Sequence, residues 1–414
     1  MFLRVYRSCT TTLALLCALT LLINANVNAT FSIVAVDTAT GAIGSAGASC
    51  IANSFIISDI IEGVGAAHTQ ALWLQENKDS LHQRMLEGLT PDSALAWMVA
   101  NDASLSPGDR QYVMVTLAGP GASAGYTGAD NTNFKGDLSG PTYALAGNIL
   151  ISLDVLADME AAYLATEGQP LEDRLMAALQ AAKRPGADHR CSGNAKSAIS
   201  AFIKVVHPGD GGNFYLFENV PSTAGSVDPI DVLQNKFDDW KLAKQADPFL
   251  SQLAITRDTL PASGVATADL TITPRNFNDA PPTDGVSGVS VSVAGEGAAS
   301  AASDNGDGTY TATLTAPVNR GAATISVEID AGGVVVEVAQ QVDVFYYLCG
   351  DADNSGSVNI ADVTYLLGFI FSGGAPPQPN GAGDADWSGG VNIADATYLI
   401  ARIFSSGPAP ICPD

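Results

Sequence analysis

The spacing of apolar and polar residues changes along the chain and divides it into regions. From Thr30 to about Pro248, β-branched and small-residue runs alternate with amphipathic helical stretches, which predicts a mixed α and β domain. Strands come first, then helices, then strands again. This order fits stacked sheets covered by helices better than an alternating parallel βαβ fold.

Individual elements of this first region follow from the same pattern. The runs Phe31–Val36 and Ala42–Ser49 predict a hairpin whose strands are covered on both faces, because apolar residues occupy both faces. Thr90 and Pro91 predict a helix start, since threonine caps helices and proline suits the first turn. Further strands are predicted at 63–70, 111–117, 123–127, 142–150, 198–206 and 213–218, and helices at 153–166, 171–182 and 229–244.

Helical periodicity disappears between about Phe249 and Tyr346. Short runs rich in Val, Thr, Ile and Ala are separated there by Gly, Pro, Asn and Asp clusters, which predicts a β-sandwich. Its strands are expected at 270–273, 289–293, 310–314, 323–329 and 334–342. A tight turn is expected at 304–308, with a cation site as the alternative. This region resembles the immunoglobulin-like modules of bacterial surface and secreted proteins.

The C-terminal segment contains one acidic unit twice, beginning at Asp351 and at Asp384. Oxygen ligands at positions 1, 3, 5, 9 and 12, a carbonyl at 7 and glycine at 6 are what a calcium loop needs. Each unit runs into an apolar helical stretch. The predicted ligands of the two calcium ions are Asp351, Asp353, Ser355, Ser357, Asn359 and Asp362, then Asp384, Asp386, Ser388, Gly390, Asn392 and Asp395.

A calcium loop followed by a helix, present twice, resembles a dockerin. The resemblance implies a cohesin-like domain or cell-surface scaffold as partner. Ile360-Ala361 and Ile393-Ala394 stand where cellulosomal dockerins commonly carry a polar pair, which argues against a cellulosomal partner. Acidic surface turns without an ion are the alternative interpretation of both loops.

The net charge of the chain limits the partners that are to be expected. The 414 residues include 43 acidic and 19 basic side chains, for a formal net charge of −24. Such a chain repels nucleic acid and anionic membrane surfaces, while clustered carboxylates suit divalent cations. A nucleic-acid partner is therefore not expected.

The first residues have the organisation of a secretory signal. Arg4 and Arg7 precede the apolar run Leu13–Ile23, and Ala29 is the last of the small residues that a signal peptidase recognises. Residues 1–29 are therefore predicted to be removed, leaving Thr30 as the first residue of an exported protein. The alternative is a membrane anchor, but the run is short for a bilayer span and no later segment is long and apolar enough.

Four cysteines remain after the predicted cleavage, in a compartment that permits disulfides. Three connectivities are possible, and free buried thiols are the alternative. The pairs that each lie within one predicted module are favoured, Cys50 with Cys191 and Cys349 with Cys412.

A threonine at the new N-terminus carries a hydroxyl nucleophile and a free α-amino group on the same residue. The α-amino group has a pKa of roughly 7.7 to 8.0, so it can accept the hydroxyl proton near neutral pH. Acyl transfer to the Thr30 oxygen, followed by hydrolysis, is the chemistry that this arrangement predicts.

The first region also resembles a known family. The motifs are Thr30–Asp37, Gly41–Gly44, Gly63–Gly65, Thr69-Gln70, Tyr126–Gly128, Ala146–Leu150 and Pro185–Asp188. They are similar to those of the domain of unknown function 1028, assigned to the N-terminal nucleophile (Ntn) hydrolases, over about Thr30 to Glu218. The resemblance implies an αββα sandwich and supplies no substrate.

Further candidate catalytic residues follow from chemistry. Ser49 is expected beside Thr30, with close sheet packing as the alternative. His68 and Gln70 end a predicted strand, where Gln70 is a candidate for orienting the substrate and His68 for assisting proton transfer. Asn148 is a candidate oxyanion donor. Asp188 is a candidate ion-pair partner of Arg190, either holding the Thr30 amine or binding a substrate carboxylate. For His68, Asn148 and Asp188, purely structural roles are the alternative.

These observations predict a multidomain α+β protein. The expected order is a signal peptide (1–29), an Ntn-hydrolase-like αββα sandwich (30–248), an immunoglobulin-like β-sandwich (249–346) and a small helical dockerin-like calcium module (347–414). The predicted function is a secreted hydrolase of an unknown amide-containing substrate. The alternatives are a non-catalytic adhesion or scaffold subunit and an accessory protein of polysaccharide breakdown, the latter without a convincing glycosidase carboxylate pair.

Overall fold

The computed structural model describes residues 30–118 and 122–412. They divide into two compact units, the first ending at Phe237 and the second beginning at Asp238. The predicted signal segment, residues 1–29, lies outside the described residues. No helix among the residues described is long and apolar enough to cross a membrane.

The first unit is built from two antiparallel sheets and flanking helices. Its strands are β1 (Thr30–Val36), β2 (Ile43–Ser49), β3 (Ser58–Ile61), β4 (Gly65–Ala71), β5 (Arg110–Thr116), β6 (Ser123–Thr127), β7 (Gly136–Gly140), β8 (Tyr143–Asn148), β9 (Ser200–Val206) and β10 (Leu216–Val220). Its helices are α1 (Gln75–Leu86), α2 (Pro91–Ala100), α3 (Asp154–Ala165) and α4 (Leu171–Ala182), and α5 (Pro229–Lys244) crosses into the second unit.

Strand pairing and contacts give the layers of this unit. One sheet has the order β10-β9-β2-β1-β8-β7 and the other the order β3-β4-β5-β6. Strand β1 lies at the centre of the first sheet and contacts β4 and β5 of the second. Helices α3 and α4 pack on the outer face of the first sheet, and α1 and α2 on the second. Every residue of β1 and β2 is buried because both faces of that sheet are covered.

Local sequence signals explain most of these elements. The predicted hairpin is β1–β2, and α2 begins at Pro91 with the Thr90 hydroxyl accepting a hydrogen bond from Ser93 N. The pattern missed α1, β3 and β7. Helix α1 is mostly polar and buries Leu81, Met85 and an asparagine, so its apolar stripe is weak. Strand β7, the edge strand Gly136–Gly140, has little of the β-branched content by which strands are predicted.

Both favoured disulfides are present. Cys50 and Cys191 are bonded with their Cα atoms 6.0 Å apart, and Cys349 and Cys412 with theirs 5.7 Å apart. The first joins residues 141 positions apart within the first unit, and the second joins residues 63 positions apart within the second unit.

Removing the first disulfide is expected to destabilise the first unit. A double Cys50→Ala, Cys191→Ala variant should lose about 2–5 kcal/mol of unfolding free energy, because the unfolded chain regains the entropy of a long open loop. Guanidinium unfolding followed by circular dichroism measures this. The matched control is Cys349→Ala with Cys412→Ala, which should leave the unfolding of the first unit unchanged. Equal effects of the two pairs on that transition would contradict the assignment.

The second unit begins with a β-sandwich. Its strands are β11 (Gln252–Ile255), β12 (Thr259–Pro261), β13 (Thr267–Thr273), β14 (Gly288–Gly295), β15 (Ala298–Ala299), β16 (Ser303–Asp304), β17 (Tyr310–Thr315), β18 (Gly321–Ala331), β19 (Val334–Glu337) and β20 (Val342–Tyr347). One sheet has the order β11-β13-β17-β15, with β16 also on β17, and the other the order β12-β20-β18-β14, with β19 also on β18. Their inner faces form one apolar core.

The single strand predicted at 334–342 is two strands in the structure. Strands β19 and β20 pair with successive parts of β18, with Glu328 opposite Glu337 and Ile325 opposite Val342. From Glu337 to Val342 the chain advances five residues, while the facing part of β18, from Glu328 to Ile325, spans only three. The extra residues form a bulge that interrupts the strand pairing. The valine-rich composition of this segment does not reveal where such extra residues leave the ladder.

The chain ends in helices that follow the two acidic loops. Helix α6 (Ile360–Ser372) follows the first loop, α7 (Asn380–Gly383) is a short turn, and α8 (Ile393–Ser405) follows the second loop. The long helices pack on each other through buried apolar residues, among them Val363, Leu366, Ala396 and Leu399.

Candidate functional site

Three predicted site residues lie side by side on the first sheet. Thr30 begins β1, and its cross-strand partners are Ser49 on β2 and Asn148 on β8. Directly opposed side chains point to the same face of a sheet, here the face toward the second sheet. All three are buried, and Thr30 Oγ1 lies 3.3 Å from Ser49 Oγ.

The layer between the two sheets is apolar at one end and polar at the other. Two and four residues beyond Ser32 on β1, Val34 and Val36 join an apolar cluster with Ile43 of β2. At the opposite end of the same face lie Thr30 and Ser32. Buried polar groups are costly unless they are hydrogen-bonded, so their concentration here requires a connected network.

Gln111 on β5 fixes the direction of that network. Its Nε2 donates to the backbone carbonyls of Gly147 at 2.8 Å and Gly136 at 2.9 Å. Carbonyl oxygens only accept, so the amide orientation of Gln111 is determined and Oε1 must be an acceptor. That oxygen accepts from Gln70 Nε2 at 2.7 Å and Asn148 Nδ2 at 3.0 Å.

The tautomer of His68 follows from the same network. Gln70 Oε1 accepts the Ser32 hydroxyl hydrogen at 2.7 Å, so Ser32 Oγ can only accept from His68 Nδ1, 2.8 Å away. His68 Nε2 is then the acceptor for Ser45 Oγ at 2.6 Å. Burial, with Lys204 and Lys78 adding positive charge nearby, holds the pKa of His68 well below its ordinary value. His68 is therefore a neutral link whose ring nitrogens bond to Ser32 and Ser45.

Asp188 holds the backbone immediately after the end of β2. This buried carboxylate accepts from the backbone N–H of Cys50 at 2.7 Å and pairs with Arg190, whose Nη2 lies 2.9 Å from Asp188 Oδ2. The expected ion pair is thus present in the structure. Because Cys50 follows Ser49, Asp188 fixes the backbone beside the Thr30–Ser49 pair.

The two acidic loops have nearly identical geometry. Carboxylate oxygens of Asp351, Asp353 and Asp362 lie within 4.8 Å of one another, as do those of the equivalent residues Asp384, Asp386 and Asp395. The glycines at position 6, Gly356 and Gly389, have φ angles of 94° and 95°, which side chains rarely adopt. Glycine at this position is therefore required by the turn.

The donor set of each loop fits a hard divalent cation. Burial, with the like charge of Asp353 adding to it, raises the pKa of Asp362 to about 6, and burial with Asp386 raises that of Asp395. A divalent cation would offset this repulsion between carboxylates.

Two of the predicted loop ligands have another role as well. Asn359 and Asn392 cap the following helices, their Oδ1 atoms accepting from Ala361 N and Ala394 N at 2.8 Å. The serines and the glycine among the predicted ligands form hydrogen bonds within the loops. Ser355 and Ser388 have backbone N–H groups bonded to the acidic side chains, while the carbonyls of Ser357 and Gly390 accept from the asparagines.

Family profiles match two successive regions of the chain. Residues 30–227 match a family of unknown function, DUF1028, and residues 247–346 match the third domain of invasin. The first region is a DUF1028 domain. An invasin-type, immunoglobulin-like domain follows it. Among curated proteins, none matches the chain.

Solved structures similar to the chain include members of both groups. A DUF1028 protein, SPO2555 from Silicibacter pomeroyi, is 26% identical over 51% of this chain and 88% of that one, with a TM-score of 0.43. The adhesin InvE of Yersinia pseudotuberculosis is 25% identical over 26% of this chain, with a TM-score of 0.21. This chain covers 28% of InvE.

Three polar residues of the DUF1028 region that complete the network were not predicted from the sequence, namely Ser32, Ser45 and Gln111. A signal for two of them was present. Ser32 lies two residues after Thr30 and Ser45 four residues before Ser49, so strand periodicity places each on the same face as a candidate. Gln111 pairs with Gln70 in the register of β4 and β5, which the sequence does not reveal.

The DUF1028 region is expected to lose stability below about pH 6.5, the ordinary pKa of histidine. The pKa of His68 is lower in the folded protein than in the unfolded chain. As the pH falls, the unfolded chain therefore binds a proton at His68 while the folded protein does not. Stability should fall by up to about 1.4 kcal/mol per pH unit until the depressed folded pKa is reached. Urea unfolding at several pH values measures this.

The control for this pH effect is His68→Gln, which removes the titrating ring. Its unfolding free energy should be lower at pH 8 but less dependent on pH between 5 and 6.5. His207→Gln serves as a second control, because this histidine stacks on Tyr215 rather than joining the network. The assignment of His68 would be contradicted by a pH slope that is the same in wild type and His68→Gln.

Proposed function

We propose that the DUF1028 region is an N-terminal nucleophile hydrolase that cleaves an amide bond, with Thr30 as the nucleophile. The observation that supports this most directly is the position of Thr30. It begins the central strand β1, its buried hydroxyl lies beside Ser49, and it stands at the polar end of the layer between the sheets. The helix–sheet–sheet–helix layering is the arrangement expected of this superfamily.

The proposed reaction is acyl transfer in two steps. The α-amine of Thr30 accepts the hydroxyl proton as Oγ1 attacks the carbonyl carbon of the substrate amide. The same proton passes to the substrate nitrogen, the C–N bond breaks, and an ester to Thr30 remains. A water molecule, deprotonated by the amine, then attacks the ester, and release of the acid restores the hydroxyl.

The buried network supplies fixed geometry for this reaction. Ser49 Oγ lies 3.3 Å from Oγ1 of the nucleophile, and Asp188 holds the adjacent backbone through Cys50 N. Gln70, His68 and Asn148 are joined through Ser32 and Gln111. Connected and fully buried polar groups hold a single arrangement, which is what a preorganised site needs.

The remaining regions are proposed to tether the enzyme outside the cell. Export would follow from the signal segment, and the invasin-type domain is in keeping with an extracellular, adhesin-type protein. The two acidic loops would each bind Ca²⁺, with the aspartates as the charged ligands. The paired helices would then form a dockerin-like module that binds a cohesin-like domain or a surface scaffold.

A second candidate function is a non-catalytic adhesion subunit. The match of residues 247–346 to an invasin domain favours it. In that case the first region would keep its fold without chemistry, and the mature chain would have no need to begin at Thr30.

The N-terminus of the exported protein tests the choice between these functions. Intact-mass measurement and N-terminal sequencing of secreted material are expected to give a chain that begins at Thr30 with an unmodified amine. Any additional residue before Thr30, or an acylated amine, would remove the proposed base and favour the adhesion subunit.

A further inference from the structure

Asn148 carries a buried oxygen that has no hydrogen-bond partner among the described residues. The atom is Oδ1, while Nδ2 of the same side chain donates to Gln111 Oε1. Rotating the amide would place two oxygens in contact, because Gln111 is fixed by the carbonyls of Gly136 and Gly147. Oδ1 is therefore an acceptor without a donor, and a buried group of this kind is costly to leave unpaired.

The strand register shows where the nitrogen of Thr30 lies. In an antiparallel ladder, hydrogen-bonded pairs recur at every second residue. Val36 N donates to Thr142 O at 2.9 Å, which identifies one such pair between β1 and the chain leading into β8. Thr30 and Asn148 are opposed six residues farther along, so they form another. The peptide N–H of Thr30 is thus directed to the backbone carbonyl of Asn148.

Cleavage before Thr30 would change the number of donors at this nitrogen. A peptide nitrogen has one hydrogen, already assigned to the ladder bond, whereas an amine has two and an ammonium three. We propose that Asn148 holds the α-amine of Thr30 with two acceptors, its backbone carbonyl and its side-chain Oδ1. This inference rests on the proposed function, since it requires a chain that begins at Thr30.

The consequence is a defined orientation of the general base. With two amine hydrogens directed to Asn148 on the β8 side, the nitrogen lone pair is left for the Thr30 hydroxyl. Asn148 is then a positioning residue that acts on the amine. This differs from the role of oxyanion donor expected from the sequence, which would use the amide nitrogen.

The test is the pKa of the Thr30 amine in the full mature chain, generated by proteolytic removal of an N-terminal fusion so that it starts at Thr30. Labelling with ¹⁵N-threonine allows the amine to be titrated by NMR. Asn148→Asp keeps an acceptor but adds a negative charge, and should raise the amine pKa by roughly one unit or more. Asn148→Leu removes the acceptor and should lower it.

The matched control is Asn219→Asp. Asn219 is also an asparagine with a buried, unpartnered Oδ1 on the same sheet, but it lies on β10, three strands from β1. It should leave the amine pKa unchanged. Equal amine pKa values in wild type, Asn148→Asp and Asn148→Leu would overturn the inference. A shifted amine pKa in Asn148→Asp, without any reaction of Thr30 with an acylating probe, would support the contact between Asn148 and the amine. It would count against the proposed hydrolase activity.

A different observation concerns the two acidic loops, which are alike internally but not in their surroundings. Arg320, in the sandwich region just before β18, donates from Nη1 to Asn354 O at 2.7 Å and lies 3.5 Å from Asp351 Oδ2. Among the described residues, no lysine or arginine forms an ion pair with an aspartate of the second loop.

We infer that Arg320 makes the two loops unequal in calcium affinity. The guanidinium reduces the negative charge at the first loop and ties this loop to the sandwich, so Ca²⁺ would bind more weakly there than at the second loop. This rests on the proposed calcium binding. Because Arg320 is partly exposed, the effect is moderate, roughly three- to tenfold in affinity at low salt.

Calcium titration by calorimetry of full-length variants tests this second inference. Asp395→Ala leaves the first loop to be measured, and Asp362→Ala leaves the second. Adding Arg320→Gln should tighten binding three- to tenfold in the Asp395→Ala chain and leave the Asp362→Ala chain unchanged. An unchanged calcium affinity of the first loop, or an equal change in the affinities of both loops, would overturn the inference. Absence of binding in wild type would overturn the calcium proposal itself.

Discussion

Thr30→Ala should abolish covalent labelling of the mature protein by an acylating probe such as a β-lactone. The variant keeps the α-amine and the small side chain at the cleavage site but lacks the attacking oxygen. The labelling rate is expected to fall by roughly a thousandfold or more, as for loss of a catalytic nucleophile. Mass spectrometry of the N-terminal peptide measures both the extent and the position of labelling.

Two variants make this result specific. Thr30→Ser keeps both the hydroxyl and the amine, so labelling should remain within about tenfold of wild type if the oxygen is the nucleophile. Thr40→Ala changes an exposed hydroxyl in the turn between β1 and β2 and should have no effect. Labelling that persists in Thr30→Ala, or that maps to another residue, would contradict the proposed mechanism.

Removal of calcium is expected to destabilise the C-terminal helices. Each loop gathers three carboxylates, and Asp362 and Asp395 also cap the helices that follow. A ligand at one hundred times its dissociation constant stabilises a folded protein by about 2.7 kcal/mol per site. Thermal unfolding followed by circular dichroism should therefore show a lower midpoint for the C-terminal helices in EDTA than in excess Ca²⁺.

A double variant, Asp362→Asn with Asp395→Asn, should remove the calcium dependence. The matched control is Asp304→Asn, because Asp304 belongs to another acidic turn, at 304–308. There it accepts a hydrogen bond from Gly306 N, and Asn305 N donates to Thr309 O, as in the predicted tight turn. This control should respond to Ca²⁺ as wild type does. Identical melting of wild type in Ca²⁺ and EDTA would contradict calcium binding by the loops.

Secondary structure could be predicted where local signals are strong. The helices α4 and α5 have the predicted bounds, and the β1–β2 hairpin lies within one residue of its prediction. Prediction failed where packing decides the outcome. Helix α1 is too polar for its periodicity to stand out, and the interruption between β19 and β20 depends on the pairing with β18.

The candidate site was predictable only in part. Thr30 and the hydroxyl of Ser49 follow from the predicted signal segment and from a hairpin, both of which are local features of the sequence. Gln70 and Asn148 were predicted individually, but their connection depends on Gln111, which is 41 residues from Gln70 and 37 residues from Asn148 in sequence. Which atom of each amide donates depends in turn on the backbone carbonyls of Gly136 and Gly147.

The sequence by itself determined the change from a mixed α and β region to a β-rich region, and the two acidic loops, because these depend on composition, periodicity and internal repetition. It favoured the two cysteine pairs without fixing them. Only the tertiary structure decided that Thr30 lies at the polar end of a buried layer, that His68 bonds to serines, and that Arg320 approaches one loop and not the other. Such contacts join residues far apart in the chain, and their formation depends on sheet register and on the free-energy cost of burying unpaired polar groups.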